Sequence, residues 1–248
     1  MGDIRRALLA LSPEPTTWRS LMGFRFEHSD VAGHSLGNLM IAALAEISGS
    51  FEDALGTLGR LLGARGAVVP AAAVPLTLEA TVGDETVRGQ VAIATGRGRI
   101  DALRVLPPEA KATASAREAI VGADQIVLGP GSLFTSVIAG LRVPGVADAV
   151  NHSQGRLVYV CNLTTQDGET LGMSGEEHVK ALSEVGEVRA PDVVVAHDGA
   201  LNVPAELARV SFSGKAPFEV AGGDLADQAS EWPAHDPTRL GAVLRRLA

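Results

Sequence analysis

The sequence has little cysteine, few aromatic residues and no long run of basic or apolar residues. Its one cysteine, Cys161, cannot form an internal disulfide, which is typical of a protein from a reducing compartment. Aromatic residues make up 4% of the 248 residues, and the formal net charge is -8. Without a Lys/Arg run, such an acidic chain is not expected to bind nucleic acid. No apolar run is long enough for a membrane span. We therefore expect a cytoplasmic protein that would capture an anionic ligand locally.

Hydrophobic residues make up 46% of the chain, and their periodicity divides it into three parts. A helical period over 3–11 and 34–48 predicts a helical block over about 1–65, in which Ser50 opens a further helix. Alternation at period two predicts a small β-rich insertion over about 70–107, with a hairpin of 76–82 and 87–93. From about 114 to 248, apolar strands alternate with capped helices. This pattern predicts a Rossmann-like parallel sheet with helices on both faces, within a single α/β domain over 1–248.

Three further helix starts carry capping signals. Ser115 with Glu118, and Ser174 with Glu177, have the spacing of a capping box. Asp236 before Pro237 predicts the start of the last helix.

A glycine-rich turn between a predicted strand and a predicted helix is the strongest local signal. The strand 125–128 runs into Gly129-Pro130-Gly131-Ser132, and Thr135 and Ser136 follow at the start of the helix. Ligands of open α/β sheets bind beyond the carboxyl ends of the strands, and the first amides of a helix favour an anion. The turn predicts a phosphate site, although a tight turn with Ser132 as a simple N-cap would explain the same residues. It is not a Walker motif, because no Gly-Lys-Ser/Thr follows.

The segment Gly33-His34-Ser35-Leu36-Gly37-Asn38 matches the Gly-x-Ser-x-Gly elbow of α/β-hydrolases. In that interpretation Ser35 is the nucleophile, and Asp198 and His235 are the candidate partners. The elbow needs a strand directly before it, and residues 24–32 are polar and broken. We favour a helix start in which His34 and Asn38 face a ligand one turn apart.

A third polar segment follows the predicted strand 156–161. Asn162, Thr165 and Glu169 lie in it, at the sheet edge where the 129–132 turn is also expected. Small polar side chains there suit hydrogen bonding to a sugar or a phosphate, although the same residue types are common in ordinary turns. Glu169 fits a general base, a metal ligand or a solvated loop residue. His178, on the next helix, is expected to be a surface histidine.

Together these segments resemble the gluconeogenesis factor (YvcK/CofD-like) family. The stretches that carry the resemblance occur in the family's order: Gly2–Arg5, Gly33–Leu39, Gly129–Ser136 and Val158–Thr170, followed by His178. The resemblance implies a Rossmann-like α/β fold. One branch of the family contains factors that bind a UDP-sugar and are needed for growth and cell shape on gluconeogenic carbon sources. The other contains 2-phospho-L-lactate transferases of deazaflavin coenzyme synthesis. The stretch Asn162–Thr170 looks closer to the first branch.

The resemblance implies a regulator that binds a UDP-sugar or another phosphorylated small molecule. The phosphates would lie on the Gly129–Ser132 turn, and the sugar or uracil would lie near Asn38, Asn162 and Thr165. We expect no metal held by the protein itself, and the only cofactor considered is a divalent ion that accompanies the phosphates. The transferase is the alternative function, and a homo-oligomer stays open.

Two departures from the family pattern carry expectations. The family usually begins with a strand and a glycine-rich loop before the Gly2–Arg5 stretch, whereas this chain begins at that stretch. We expect the first strand and this loop to be missing, so that the chain as given is poorly stable and binds weakly. Ala234 stands where family members often have arginine, which removes one expected phosphate contact.

Overall fold

The computed structural model describes residues 2–13, 17–96, 98–214 and 217–248. The chain divides into two compact units, Met1–Ala73 and Val74–Ala248.

The described part of the first unit is helical. Its helices are α1 (Gly2–Leu11), α2 (Thr17–Gly23), α3 (Leu36–Ser48) and α4 (Phe51–Leu61). Their apolar faces meet in a core of Leu8, Met22, Ile41, Leu55, Leu58 and Leu62. The predicted helices are confirmed, and the Ser50 hydroxyl accepts from the Asp53 amide at the start of α4. The short helix α2 was not predicted.

The second unit begins with a three-stranded antiparallel sheet. Its elements are β1 (Thr77–Val82), β2 (Glu85–Arg88), α5 (Gln90–Ala94) and β3 (Ile100–Leu106), with the strand order β2-β1-β3. The predicted hairpin arm 87–93 is wrong beyond Arg88, because the chain turns at Gly89 into α5. Glu79 lies directly opposite Arg88 and Arg104, pairs with both, and is buried. The Arg88 guanidinium holds the pKa of Glu79 below its usual value.

The rest of the second unit surrounds a four-stranded parallel sheet in the order β4-β5-β6-β7. Its strands are β4 (Gln125–Leu128), β5 (Arg156–Val160), β6 (Val193–His197) and β7 (Glu219–Gly223). The helices are α6 (Ala114–Val121), α7 (Ala139–Leu141), α8 (Val146–His152), α9 (Gly175–Glu184) and α10 (Pro237–Leu247), and a π-helical segment, Leu133–Ile138, leads into α7. Val158, Val160 and Val195 of the sheet pack against Leu240 and Val243 of α10. The α/β class with a Rossmann-like parallel sheet is confirmed, whereas α8 and β7 were not predicted.

Side-chain caps start several of these helices. The capping box of Ser174 and Glu177 forms in both directions, and Asp236 accepts from the first amides of α10. The Ser115 prediction is wrong: Thr113 is the N-cap of α6, and its hydroxyl accepts from the Ala116 amide. Thr113 has the extended backbone that an N-cap needs, whereas Ser115 already lies inside the helix.

Within the described ranges, no single helix is long and apolar enough to cross a membrane. The pair Leu133–Leu141 and Val146–His152 passes only when both helices are counted together, and it is bent by 73°.

Candidate functional site

Two of the predicted polar segments meet at the carboxyl edge of the parallel sheet. The turn Gly129–Ser132 follows β4, and the segment 162–170 follows its neighbour β5. The Asn162 Nδ2 atom donates to the Gly131 carbonyl over 3.1 Å, and the Gln166 Nε2 atom donates to the Ser132 hydroxyl over 3.2 Å. These two bonds hold the segments together, as expected for neighbouring parallel strands.

Gly129 has a packing reason to be glycine. Its φ is +84°, and a Cβ there would lie 2.9 Å from the Val160 carbonyl oxygen. The turn therefore passes so close to the end of β5 that a side chain at position 129 would collide with the backbone. Pro130 and Ser136 are exposed, and Gly131 and Ser132 are partly buried.

The Glu169 carboxylate fills the start of the π-helical segment. Its Oε2 atom accepts from the Phe134 and Thr135 amides over 3.0 and 3.2 Å, and Oε1 accepts from the Thr135 hydroxyl. Glu169 is 6% exposed. These are the first amides of the helix, where the sequence predicted a bound phosphate. In the structure they already donate to a carboxylate of the protein itself. Glu169 therefore secures the helix start, and its burial contradicts the prediction of a solvated loop residue.

A cleft of about 430 Å³ lies beside the turn. It is lined by Pro130, Asn162, Leu163, Thr164, Thr165, Gln166, Asp167, Glu206, Leu207, Trp232, Pro233 and His235. The structure thus brings the predicted residues Pro130, Asn162 and Thr165 to one site. Sequence reasoning missed Trp232 and Glu206, and it considered His235 only as a hydrolase partner. The unpredicted strand β7 precedes the 232–235 segment, which explains why no pattern pointed there.

Thr165 connects the 162–170 segment to the segment around Ala208 through two hydrogen bonds. Its amide donates to the Ala208 carbonyl over 2.8 Å, and its hydroxyl accepts from the Ala208 amide over 3.0 Å. Because Thr165 is 1% exposed, these bonds fix the 162–170 segment against residues 204–210.

Several buried polar atoms of the cleft residues have no hydrogen-bond partner in the described protein. They are Asn162 Oδ1, Gln166 Oε1 and His235 Nε2. Buried polar atoms are rarely left unpaired in native proteins, and an exception points to a role. The charged lining residues are Asp167 and Glu206, and no lysine or arginine is among the described residues that line the cleft.

The surroundings of His235 favour the neutral form of its imidazole. Burial lowers the pKa of its imidazole, and the neighbouring His197 lowers that pKa further, while a hydrogen bond to the Cys161 backbone acts in the opposite direction. His197 accepts from the Leu225 amide over 2.9 Å at Nδ1 and lies 3.1 Å from the Ala200 carbonyl at Nε2.

The remaining predicted residues lie at the start of α3 in the first unit. Gly33 and His34 are exposed, Ser35 is the N-cap, and the buried Ser35 Oγ and Asn38 Oδ1 atoms have no partner among the described residues. A Cβ at Gly37 would lie 2.5 Å from the Met22 carbonyl oxygen, so Gly37 allows α2 and α3 to pack closely. The described residues just before Ser35 form turns and bends, not the strand that a hydrolase elbow needs.

His178 is buried, and the expectation of a surface histidine is wrong. It is 0% exposed on α9, and its Nδ1 atom lies 2.8 Å from the Ser174 carbonyl oxygen. Burial lowers the pKa of the His178 imidazole below its usual value. Burial also raises the pKa of the Cys161 thiol to about 12, so that this cysteine is an inert core residue.

We expect the free energy of unfolding to fall as the pH drops below about 6.5, the usual pKa of histidine. Below this pH the unfolded chain binds protons at His178 and His235 that the folded protein resists, because both folded pKa values are lowered. Thermal melts at pH 7.5 and 5.5 measure the effect. The drop in Tm should be smaller in His178→Gln than in the unaltered protein, and an equal drop in both would contradict it.

The described residues contain no group of three His, Cys, Asp or Glu side chains that could hold a metal ion.

Comparison with known proteins places the chain in a family. The family model described as "2-phospho-L-lactate transferase CofD" matches residues 1–231. A "Putative gluconeogenesis factor" of Mycobacterium tuberculosis strain H37Rv is 42% identical over 259 residues, which cover 98% of this chain and 74% of the relative. The "Gluconeogenesis factor" of Halalkalibacterium halodurans is 37% identical over 198 residues, covering 79% of this chain and 62% of the relative.

A solved structure agrees with the sequence comparison. The crystal structure of protein BH3568 from Bacillus halodurans has a TM-score of 0.92 and 30% identity, with 98% of this chain and 83% of that chain covered. The chain therefore belongs to the CofD family, and within that family it stands with the gluconeogenesis factors.

Proposed function

We propose that this protein is a ligand-sensing regulator that binds a UDP-sugar and supports growth and cell shape on gluconeogenic carbon sources, acting in the cytoplasm. The observation that carries the proposal is the cleft at the carboxyl edge of the sheet, whose residues Asn162, Gln166 and His235 hold buried polar atoms without partners. A parallel α/β sheet binds its ligand at this edge. The gluconeogenesis factors among the relatives support the same function.

The phosphates of such a ligand have few cationic partners here. The cleft lining contributes Asp167 and Glu206 and no described lysine or arginine, and Glu169 already occupies amides of the helix start. Pro130, Gly131 and Ser132 remain as the phosphate-facing turn, with the exposed Ser136 beside it. A divalent ion that arrives with the diphosphate would offset the negative charge of this edge.

Isothermal titration of UDP-N-acetylglucosamine, with and without Mg²⁺, tests the proposal. We expect saturable heat, competition by UDP, and a rise in Tm with ligand concentration, because a ligand that binds only the folded state stabilises it. Saturable binding that orthophosphate abolishes equally well would point to a general anion site instead. The absence of heat and of any shift in Tm would reject the function.

A phospholactyl-type transferase is the second candidate, because the matching family model is named for that enzyme. The same protein preparation, given a nucleotide-activated phospholactate donor and a deazaflavin acceptor, would then form product. Product formation would replace the regulator with the transferase as the proposed function.

A further inference from the structure

Acceptors predominate among the hydrogen-bonding groups that the cleft residues leave unpaired. The Gly131 carbonyl can only accept, so the Asn162 amide must turn its nitrogen toward it, and Oδ1 is the atom left over. The Gln166 amide bonds to the Ser132 hydroxyl, which can donate or accept, so the group it leaves over can be either its oxygen or its nitrogen. The leftover atom of Asn162 is an acceptor.

His235 adds a second acceptor. Its hydrogen bond to the Cys161 backbone raises the pKa of the ring, as a carbonyl acceptor does, and Nε2 has no partner in the described protein. The bond therefore uses Nδ1–H, and the neutral ring presents a lone pair at Nε2. Together with the carboxylates of Asp167 and Glu206, these acceptors favour a ligand that donates hydrogen bonds.

Trp232 provides a flat apolar surface at the same cleft. Its side chain is 58% exposed although it is the largest apolar side chain in the lining. An exposed indole beside polar groups is suited to stacking against a ring of the ligand.

We propose that this cleft holds the sugar ring of the nucleotide-sugar and excludes its phosphates. Asn162 and His235 accept hydrogen bonds from the sugar hydroxyls, the Gln166 amide bonds to a further hydroxyl, and the Trp232 indole stacks on the apolar face of the ring. A phosphate has no hydrogen to donate at neutral pH and would be repelled by Asp167 and Glu206. A sugar offers several hydroxyl donors without charge. This inference rests on the proposed function and assigns a part of the ligand to a part of the site.

Titration with three probes tests the assignment: UDP-N-acetylglucosamine, UDP, and analogues of the first in which one sugar hydroxyl is replaced by fluorine. Fluorine keeps the size of the hydroxyl but cannot donate. We expect UDP to bind at least about 30-fold more weakly than the UDP-sugar, and at least one fluoro analogue to lose about 10-fold, as one buried acceptor left unpaired would cause.

Variants of Trp232 and His235 test whether these residues contact the sugar. The chain has two tryptophans, so Trp18→Phe leaves Trp232 as the only indole and serves as the matched control for Trp232→Phe. We expect the UDP-sugar to change the emission of Trp18→Phe and to leave that of Trp232→Phe unchanged. His235→Phe should lose about 10-fold for the UDP-sugar and little for UDP, and His235→Gln, whose amide oxygen can accept, should recover part of the loss. Thermal melts confirm that each variant is folded.

The outcomes separate the two proposals. Equal affinities for UDP and the UDP-sugar, or a silent Trp232, would overturn the assignment of the sugar while UDP-sugar binding stands. Equal losses for both ligands in His235→Phe would also overturn it. No binding of the UDP-sugar at all would reject the proposed function, and this inference with it.

Discussion

Glu169→Ala is expected to lower the free energy of unfolding by about 3 kcal/mol, because buried donors that lose a charged acceptor cost about 1–3 kcal/mol each and partial relaxation recovers some of this. The Phe134 amide, the Thr135 amide and the Thr135 hydroxyl all donate to this one carboxylate. Glu169→Gln should lose only about 1 kcal/mol, since the amide oxygen can still accept from the two backbone amides and the amide nitrogen can donate to the Thr135 hydroxyl, so that mainly the charge of the acceptor is lost.

Urea unfolding followed by circular dichroism measures both Glu169 variants. Glu184→Ala is the matched control, because Glu184 is an exposed carboxylate whose partner Lys180 lies 3.5 Å away on the surface of α9. Such surface pairs contribute little, so the control should change stability by less than about 0.5 kcal/mol. If Glu169→Ala behaved like this control, the carboxylate would not be what holds the helix start.

Glu169→Ala also tests whether the Gly129–Ser132 turn contacts the ligand. The π-helical segment follows directly on the Gly129–Ser132 turn, so loosening it should also weaken UDP-sugar binding at temperatures where the variant is still folded. A Glu169→Ala protein that is destabilised but binds with unchanged affinity would show that the turn does not touch the ligand.

Gly168→Ala is expected to cost about 2 kcal/mol more than Gly172→Ala. Both glycines have nearly the same backbone, with φ of +82° and +80°. A Cβ at Gly168 would overlap the Ala94 carbonyl at the end of α5, whereas a Cβ at Gly172 meets nothing within 4 Å. The left-handed backbone conformation therefore destabilises alanine by about 1–2 kcal/mol at both positions. Overpacking against Ala94 destabilises the folded state further only at Gly168.

Urea unfolding of the two variants isolates the contact from the backbone conformation. Because Gly168 directly precedes Glu169, Gly168→Ala should also weaken UDP-sugar binding, and Gly172→Ala should not. Equal losses of stability in the two variants would mean that α5 moves aside at little cost, and that the 162–170 segment does not depend on this contact.

Local signals determined the elements that depend on neighbouring residues. The capping box of Ser174 and Glu177, the cap of α10 by Asp236 and the apolar strand β5 all follow from short-range hydrogen bonding and hydrophobic periodicity. The same reasoning failed at β7, whose sequence Glu219–Gly223 ends in two glycines and has no apolar run. That strand forms because it pairs along its whole length with β6, and such a contact between distant residues leaves no local pattern.

By itself, the sequence determined the α/β class, the family, and the two polar segments that follow β4 and β5, because periodicity, caps and ordered motifs are written along the chain. Only the tertiary structure decided what those segments do. In the folded chain, the Glu169 carboxylate accepts hydrogen bonds from Phe134 and Thr135, and Thr165 bonds to the backbone of Ala208. Trp232 and His235, which follow β7 in the sequence, lie in the lining of the cleft. Each of these outcomes depends on which distant donors and acceptors become neighbours once the strands pair. It also depends on which of these groups are buried and can no longer form hydrogen bonds with water.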